Sequence, residues 1–181
     1  MKTSLYYLAI LPNSKISAEI TAFKQYAAVH FNTIRALRSP PHITLIPPFR
    51  WPEGQIYAVA NTLKAFAKQR HIFELQLKDF EAFPPRVIFI QPEQHPQLIQ
   101  LQSDLKLSLE EQNNLTYKNI FGFHPHITVA FKDLKEDIFP VAWNYFKQLS
   151  YFRTFIVDSI SLLKHNGSTW EIFQTYSLAS S

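Results

Sequence analysis

Two histidines and two threonines stand in the same local setting twice along this chain. His42-Ile43-Thr44 follows Pro41 and leads into Leu45-Ile46, and His126-Ile127-Thr128 follows Pro125 and leads into Val129-Ala130. β-Branched and aliphatic residues after a proline favour an extended strand. Side chains alternate between faces along a strand, so each His and its Thr point one way and the intervening Ile points the other, toward a core. Imidazole titrates near pH 6.5, so of two facing histidines one can be neutral while the other is protonated. Such a pair suits general acid–base cleavage of a phosphodiester. One ring accepts a proton from the attacking oxygen and the other donates one to the leaving oxygen. Threonine hydroxyls would donate hydrogen bonds to phosphate oxygens as charge builds on them.

A single His-Ile-Thr is weak evidence, because a strand histidine is more often a partly buried residue bonded to backbone and threonine is simply a good strand former. Two copies change the balance, since packing alone gives no reason to keep His and Thr together twice. Landmarks around them repeat as well. Pro12 and Pro92 lie 80 residues apart, His42 and His126 84, and Phe73 and Phe155 82. This spacing reads as an internal duplication, with halves at about residues 1–85 and 86–181 forming one domain.

The elements needed to position the motifs can be read from the same sequence. A strand is expected over residues 3–11, ended by Pro12. A helix follows, capped at Asn13-Ser14 and running to about Phe31, with Ile16, Ile20, Phe23, Ala27 and Phe31 on its buried face. Pro47-Pro48 is expected to stop the first motif strand early. Helix 55–69, strands 72–81 and 86–91, and helix 95–112 come next. An irregular stretch then leads to the second motif. A helix within 133–149 has Pro140 near its start, and the chain closes with strands near 151–164 and 169–178 joined at Asn166-Gly167. The fold class implied is α+β. Two lobes related by a pseudo-twofold axis would each carry an antiparallel sheet with helices on the outer side. The two His-x-Thr faces would meet across a groove between the lobes.

Composition narrows the function classes. With 181 residues, 46% hydrophobic and 18% charged, the chain can bury a substantial core. Only three glycines argue against glycine-rich phosphate loops and dinucleotide fingerprints. The absence of cysteine removes disulfides, thiolate zinc sites and cysteine nucleophiles and fits a reducing, cytoplasmic setting. A net charge of +4 is a mild bias toward anionic partners. The apolar run Leu5–Leu11 is too short for a signal peptide and reads as a strand, and no segment is long enough to span a membrane. No carboxylate lies beside either motif, so neither a metal nor another cofactor is expected.

Paired H-x-T motifs followed by aliphatic residues, about 80 apart in a small two-lobed chain, resemble the 2H phosphoesterase superfamily, in particular its bacterial 2′,5′ RNA ligase-like branch. The resemblance covers nearly the whole chain. It implies a metal-independent enzyme acting on RNA 3′ ends or small nucleotides that carry a cyclic phosphate, opening a 2′,3′-cyclic phosphate to a 2′-phosphate or acting on 2′,5′ linkages, and a monomer is expected. It implies His42 and His126 as the acid/base pair and Thr44 and Thr128 as phosphate-binding hydroxyls. A nucleotide-binding module that uses the same groove without turnover is the alternative. RNA ligase-like members often carry an arginine three residues after the second Thr, where this chain has Phe131 followed by Lys132. Strand alternation would put Lys132 on the face of His126 and Thr128, where it could contact substrate as a point charge without the arginine fork. His124, Arg50, Phe49 and Tyr6 or Tyr7 are weaker candidates. His30, His71, His95 and His165 stand alone and read as surface residues.

Overall fold

Residues 2–117 and 122–180 are described in the computed structural model of the chain. The part of the expected irregular stretch at 118–121 lies outside the described residues. Strand β1 (Thr3–Ile10) ends before Pro12, and Asn13 accepts the Ile16 N–H to start α1 (Ser14–Phe31). Asn32, at φ 54°, closes that helix in the left-handed conformation. A 3₁₀ helix at Arg35–Arg38 leads to β2 (Ile43–Pro52), then α2 (Ile56–Ala67), β3 (Phe73–Phe83) and β4 (Val87–Pro92). The second half continues with α3 (Pro96–Asn113), β5 (Ile127–Ala130), α4 (Phe139–Phe146), β6 (Phe152–Val157), β7 (Ser159–His165) and β8 (Trp170–Ser177). Pro140 falls in the first turn of α4, where its missing N–H costs no helical bond.

The strands form two antiparallel four-stranded sheets, ordered β2-β1-β7-β8 and β5-β4-β3-β6. Both motif strands lie at a sheet edge, β2 beside β1 and β5 beside β4. The register is matched too: Ala9 pairs with Thr44, and Phe89, 80 residues after Ala9, pairs with Thr128. The pseudo-twofold arrangement of two α+β lobes is therefore present.

The lobes are not the contiguous halves 1–85 and 86–181. The short turn at 84–86 joins β3 to β4 as a hairpin, so β3 enters the second sheet, while β7 and β8 return to the first. The Phe73–Phe155 spacing likewise does not mark equivalent strands, because β3 and β6 are direct neighbours with Leu75 opposite Phe155. The expected strand 151–164 is two strands, broken at Asp158, where the chain passes from one sheet to the other. Nor does Pro47-Pro48 end β2. Between the pairs Tyr6–Phe49 and Leu8–Ile46 the strand carries one extra residue, a bulge on an edge strand, where a proline without N–H is tolerated.

Helices cover the sheet faces that carry Ile43, Leu45, Ile127 and Val129. On α1, Phe23 meets Phe80 of β3 edge-on at 5.0 Å, and Tyr26 stacks on Tyr145 of α4 at 4.4 Å, so α1 and α4 pack on the second sheet. Helices α2 and α3 pack on each other and on the first sheet, where Gln102 donates from Nε2 to the Leu45 carbonyl. One continuous hydrophobic core, drawn from both sheets and all four helices, results. No helix among the described residues is long and apolar enough to cross a membrane.

Candidate active site

The sheet faces opposite the helices turn toward a cavity of about 390 Å³. Strand alternation delivers the expected side chains to it. Ile43 and Leu45 are buried in the core, as are Ile127 and Val129, while His42, Thr44, His126 and Thr128 all line the cavity and are half-buried. Pseudo-equivalent positions contribute in pairs, Tyr7 with Val87 as well as the two motifs.

Both imidazoles are held in the same way. His42 Nδ1 lies 2.7 Å from the Pro40 carbonyl, and His126 Nδ1 lies 2.7 Å from the His124 carbonyl. A carbonyl only accepts, so Nδ1 carries the proton in each ring and Nε2 is left for chemistry. Aromatic neighbours fix the ring planes. Tyr7 packs against His42 at 4.8 Å, and Phe83 and Phe89 flank His126 at 5.5 and 5.3 Å.

Burial disfavours the charged imidazole. It pulls His42 down to about 4 against the opposing pull of the Pro40 carbonyl, with Lys24 and His126 adding like-charge repulsion. His126 is lowered as well, by burial first and by the charge of His124 last. Both rings border the same cavity, so that a charge on His126 adds to the depression of His42.

Cations surround the pair. Lys24, Arg35, Arg38 and Lys132 line the cavity, and among the described residues no Asp or Glu does. Lys24 is 2% exposed and donates from Nζ to the carbonyls of Ala36 and Ser39, each at 3.0 Å, which ties α1 to the segment entering the first motif. Burial draws its ammonium down to about 8. Asp133 ties the same segment to the second motif's loop. Thr33 Oγ1 donates to Oδ1 at 2.7 Å, and the Ile34 and Arg35 N–H groups donate to Oδ2 at 2.9 and 3.1 Å. Lys132 reaches the cavity as expected, but strand alternation is not the reason. β5 ends at Ala130, and Lys132 sits in a turn at φ 63°.

An aromatic wall completes the cavity. Trp170 meets Tyr7 edge-on at 4.6 Å and His165 at 4.9 Å. Tyr7 is buried, its hydroxyl has no partner at hydrogen-bonding distance among the described residues, and burial pushes its phenol far up, with the nearby Ser39 side chain only partly opposing. Sequence reasoning left His165 on the surface and passed over Lys24, Arg35, Arg38 and Trp170. Lys24 alone carried a signal, a lysine four residues after Ile20 on the apolar stripe of α1. Of the weaker candidates, Tyr6 is core, Arg50 is exposed away from the cavity, and His124 faces a neighbouring hollow with Phe83 and His95. Among the described residues no group of three metal-ligating side chains converges.

Comparison with known proteins gives a consistent result. The family model of the 2′-5′ RNA ligase superfamily matches residues 12–169. A candidate phosphoesterase of Bacillus cytotoxicus is 25% identical over 174 residues, covering 94% of this chain and 95% of its own. Another, from Oceanobacillus iheyensis, is 28% identical over 177 residues, covering 96% and 97%. Among solved structures, TT0787 of Thermus thermophilus aligns with a TM-score of 0.71 at 17% identity, over 98% of this chain and 99% of that one. Escherichia coli LigT complexed with 3′-AMP aligns with a TM-score of 0.69 at 18% identity and the same coverage. At such identities the structural likeness shows the fold alone.

Proposed function

We propose that this chain, which belongs to the 2′-5′ RNA ligase superfamily, is a metal-independent cyclic phosphodiesterase acting on 2′,3′-cyclic phosphate ends of RNA or nucleotides. One observation carries the reading. Two histidines immediately before pseudo-equivalent edge strands line one cavity, and in both Nδ1 is held by the carbonyl two residues earlier, so that Nε2 is the free nitrogen. A binding module has no need to fix two imidazoles in the same tautomer.

In the reaction, the neutral imidazole takes a proton from water through Nε2. The water oxygen attacks phosphorus as the P–O3′ bond breaks, and the protonated imidazole delivers its proton to O3′, leaving a 2′-phosphate. Each ring ends in the other's starting state, so a proton exchange with solvent resets the site. Thr44 and Thr128 donate to the non-bridging oxygens, and the surrounding cations stabilise the charge gathering there. His42, the harder of the two to protonate, fits the resting base.

The test is turnover of 2′,3′-cyclic nucleotides and of short RNAs with cyclic-phosphate ends, in EDTA. Product insensitive to chelator is expected, with His42→Ala and His126→Ala each losing on the order of 10²–10⁴-fold. Tight nucleotide binding without product at any pH from about 5 to 8 would replace the enzyme with a binding module.

A further inference from the structure

The cavity carries more positive charge than the proposed reaction needs. A cyclic phosphodiester brings one negative charge, yet Lys24, Arg35, Arg38 and Lys132 all line the cavity, with no carboxylate beside them among the described residues. Lys24 is committed to two backbone carbonyls. Arg35, Arg38 and Lys132 are exposed, and among the described residues none takes part in an ion pair. The acidic residue nearest to them in sequence, Asp133, is also committed, to Thr33 Oγ1 and the N–H groups of Ile34 and Arg35.

The backbone beneath the two arginines is fixed at both ends. Asp133 caps the start of the 3₁₀ helix, and Lys24 binds carbonyls in its middle and just past its end. A 3₁₀ helix turns once in three residues, so Arg35 and Arg38 project from the same side. Because Asp133 follows Lys132, the same carboxylate ties the turn bearing the lysine to the helix bearing the arginines. Two planar guanidinium forks held together beside a third cation match a phosphate, which arginine binds through paired hydrogen bonds.

We propose that Arg35 and Arg38, backed by Lys132, form a second phosphate subsite. The favoured substrates then carry a phosphate on the 5′ side of the terminal nucleoside besides the cyclic phosphate that is cleaved. This rests on the cyclic phosphodiesterase reading and names the substrate class for that site. An RNA end supplies the second group as an internucleotide diester, and a 5′-phosphorylated nucleotide supplies it as a monoester.

Steady-state kcat/KM is compared for three compounds: a nucleoside 2′,3′-cyclic phosphate, its 5′-phosphorylated form, and a dinucleotide ending in a 2′,3′-cyclic phosphate. The two phosphate-bearing compounds are expected to exceed the first by roughly 10-fold or more, as charge-assisted hydrogen bonds to one phosphate would give. Their advantage should shrink more steeply with salt, by roughly 0.7 in log–log slope per phosphate contact. In an Arg35→Gln/Arg38→Gln double variant the ratio should fall toward one. Dominance of the dinucleotide points to RNA ends, and dominance of the monoester points to free nucleotides. Equal turnover of all three by the wild-type protein, or an unchanged ratio in the double variant, overturns the subsite and leaves the phosphodiesterase standing. If the wild-type protein turns over none of them, that reading falls. The subsite is then decided by equilibrium binding of the same three compounds, where failure of the phosphate-bearing two to bind more tightly overturns it.

Discussion

At the level of single residues, the pH response follows from the two histidines. The proposed cleavage needs one ring protonated and the other neutral, and both are depressed below their ordinary value near 6.5, His42 to about 4. In the free protein the state that this mechanism uses is therefore most populated on the acidic side of neutrality. The profile of kcat/KM should peak between about pH 4 and 6.5 and fall toward pH 8, and a plateau reaching pH 8 would refute this. Stability responds to the same shift. Between pH 6.5 and about 4 the unfolded chain takes up a proton at His42 that the folded chain resists, so stability falls as pH drops through that window. Urea midpoints at pH 6.5 and 5 should separate less for His42→Gln than for the wild-type protein. The hydroxyls have a different signature. Thr44→Val and Thr128→Val should each lower kcat by roughly 10²-fold, the size expected for one donor to a developing oxyanion, with little change in melting temperature.

At the level of elements, the histidines depend on a segment held by α1 and the loop after β5. Lys24→Met would leave the Ala36 and Ser39 carbonyls without their donor and remove a positive charge that helps to depress His42. The expected results are a loss of about 1–3 kcal/mol in chemical denaturation and an upward move of the His42 titration followed by NMR. Asp133→Ala would orphan the buried Thr33 hydroxyl and two backbone N–H groups, at a similar cost in stability. This layer was hardest to see in the sequence. The His-x-Thr strands, the long helices and their caps were legible because each follows from local periodicity and capping chemistry. The partners of Lys24 and Asp133 were not. Lys24 bonds backbone atoms 12 and 15 residues away, and Asp133 bonds groups about 100 residues away. Such contacts leave no local pattern, apart from one lysine on an apolar stripe. The continuation of β2 through Pro47-Pro48 was hidden for a related reason. Whether a proline ends a strand depends on which edge of the sheet it occupies, and that is a tertiary property.

At the level of the molecule, the repeat was visible in the sequence but its division into lobes was not. Periodic landmarks report equivalent strands only when the chain does not exchange them. Here the chain crosses between sheets twice, through α2 into β3 and at Asp158 between β6 and β7. Each sheet is thus completed by strands from the other side of residue 85, and all four helices share one core with both sheets. A fragment of residues 1–85 would present β1 without β7, an open sheet edge, and would leave Leu75 and Leu77 of β3 with neither β4 nor β6 to cover them. It should be unfolded by circular dichroism, as should 86–181, whose β7 and β8 lack β1. The full chain should unfold in one transition, with fluorescence of Trp51 and Trp170 in the first sheet and of Trp143 in α4 reporting the same midpoint in single-tryptophan variants. Two separated midpoints would mean that the lobes are independent despite the exchanged strands. A single midpoint is also what the site requires, because its two histidines lead into strands of different sheets and share one cavity only while both sheets are folded on the common core.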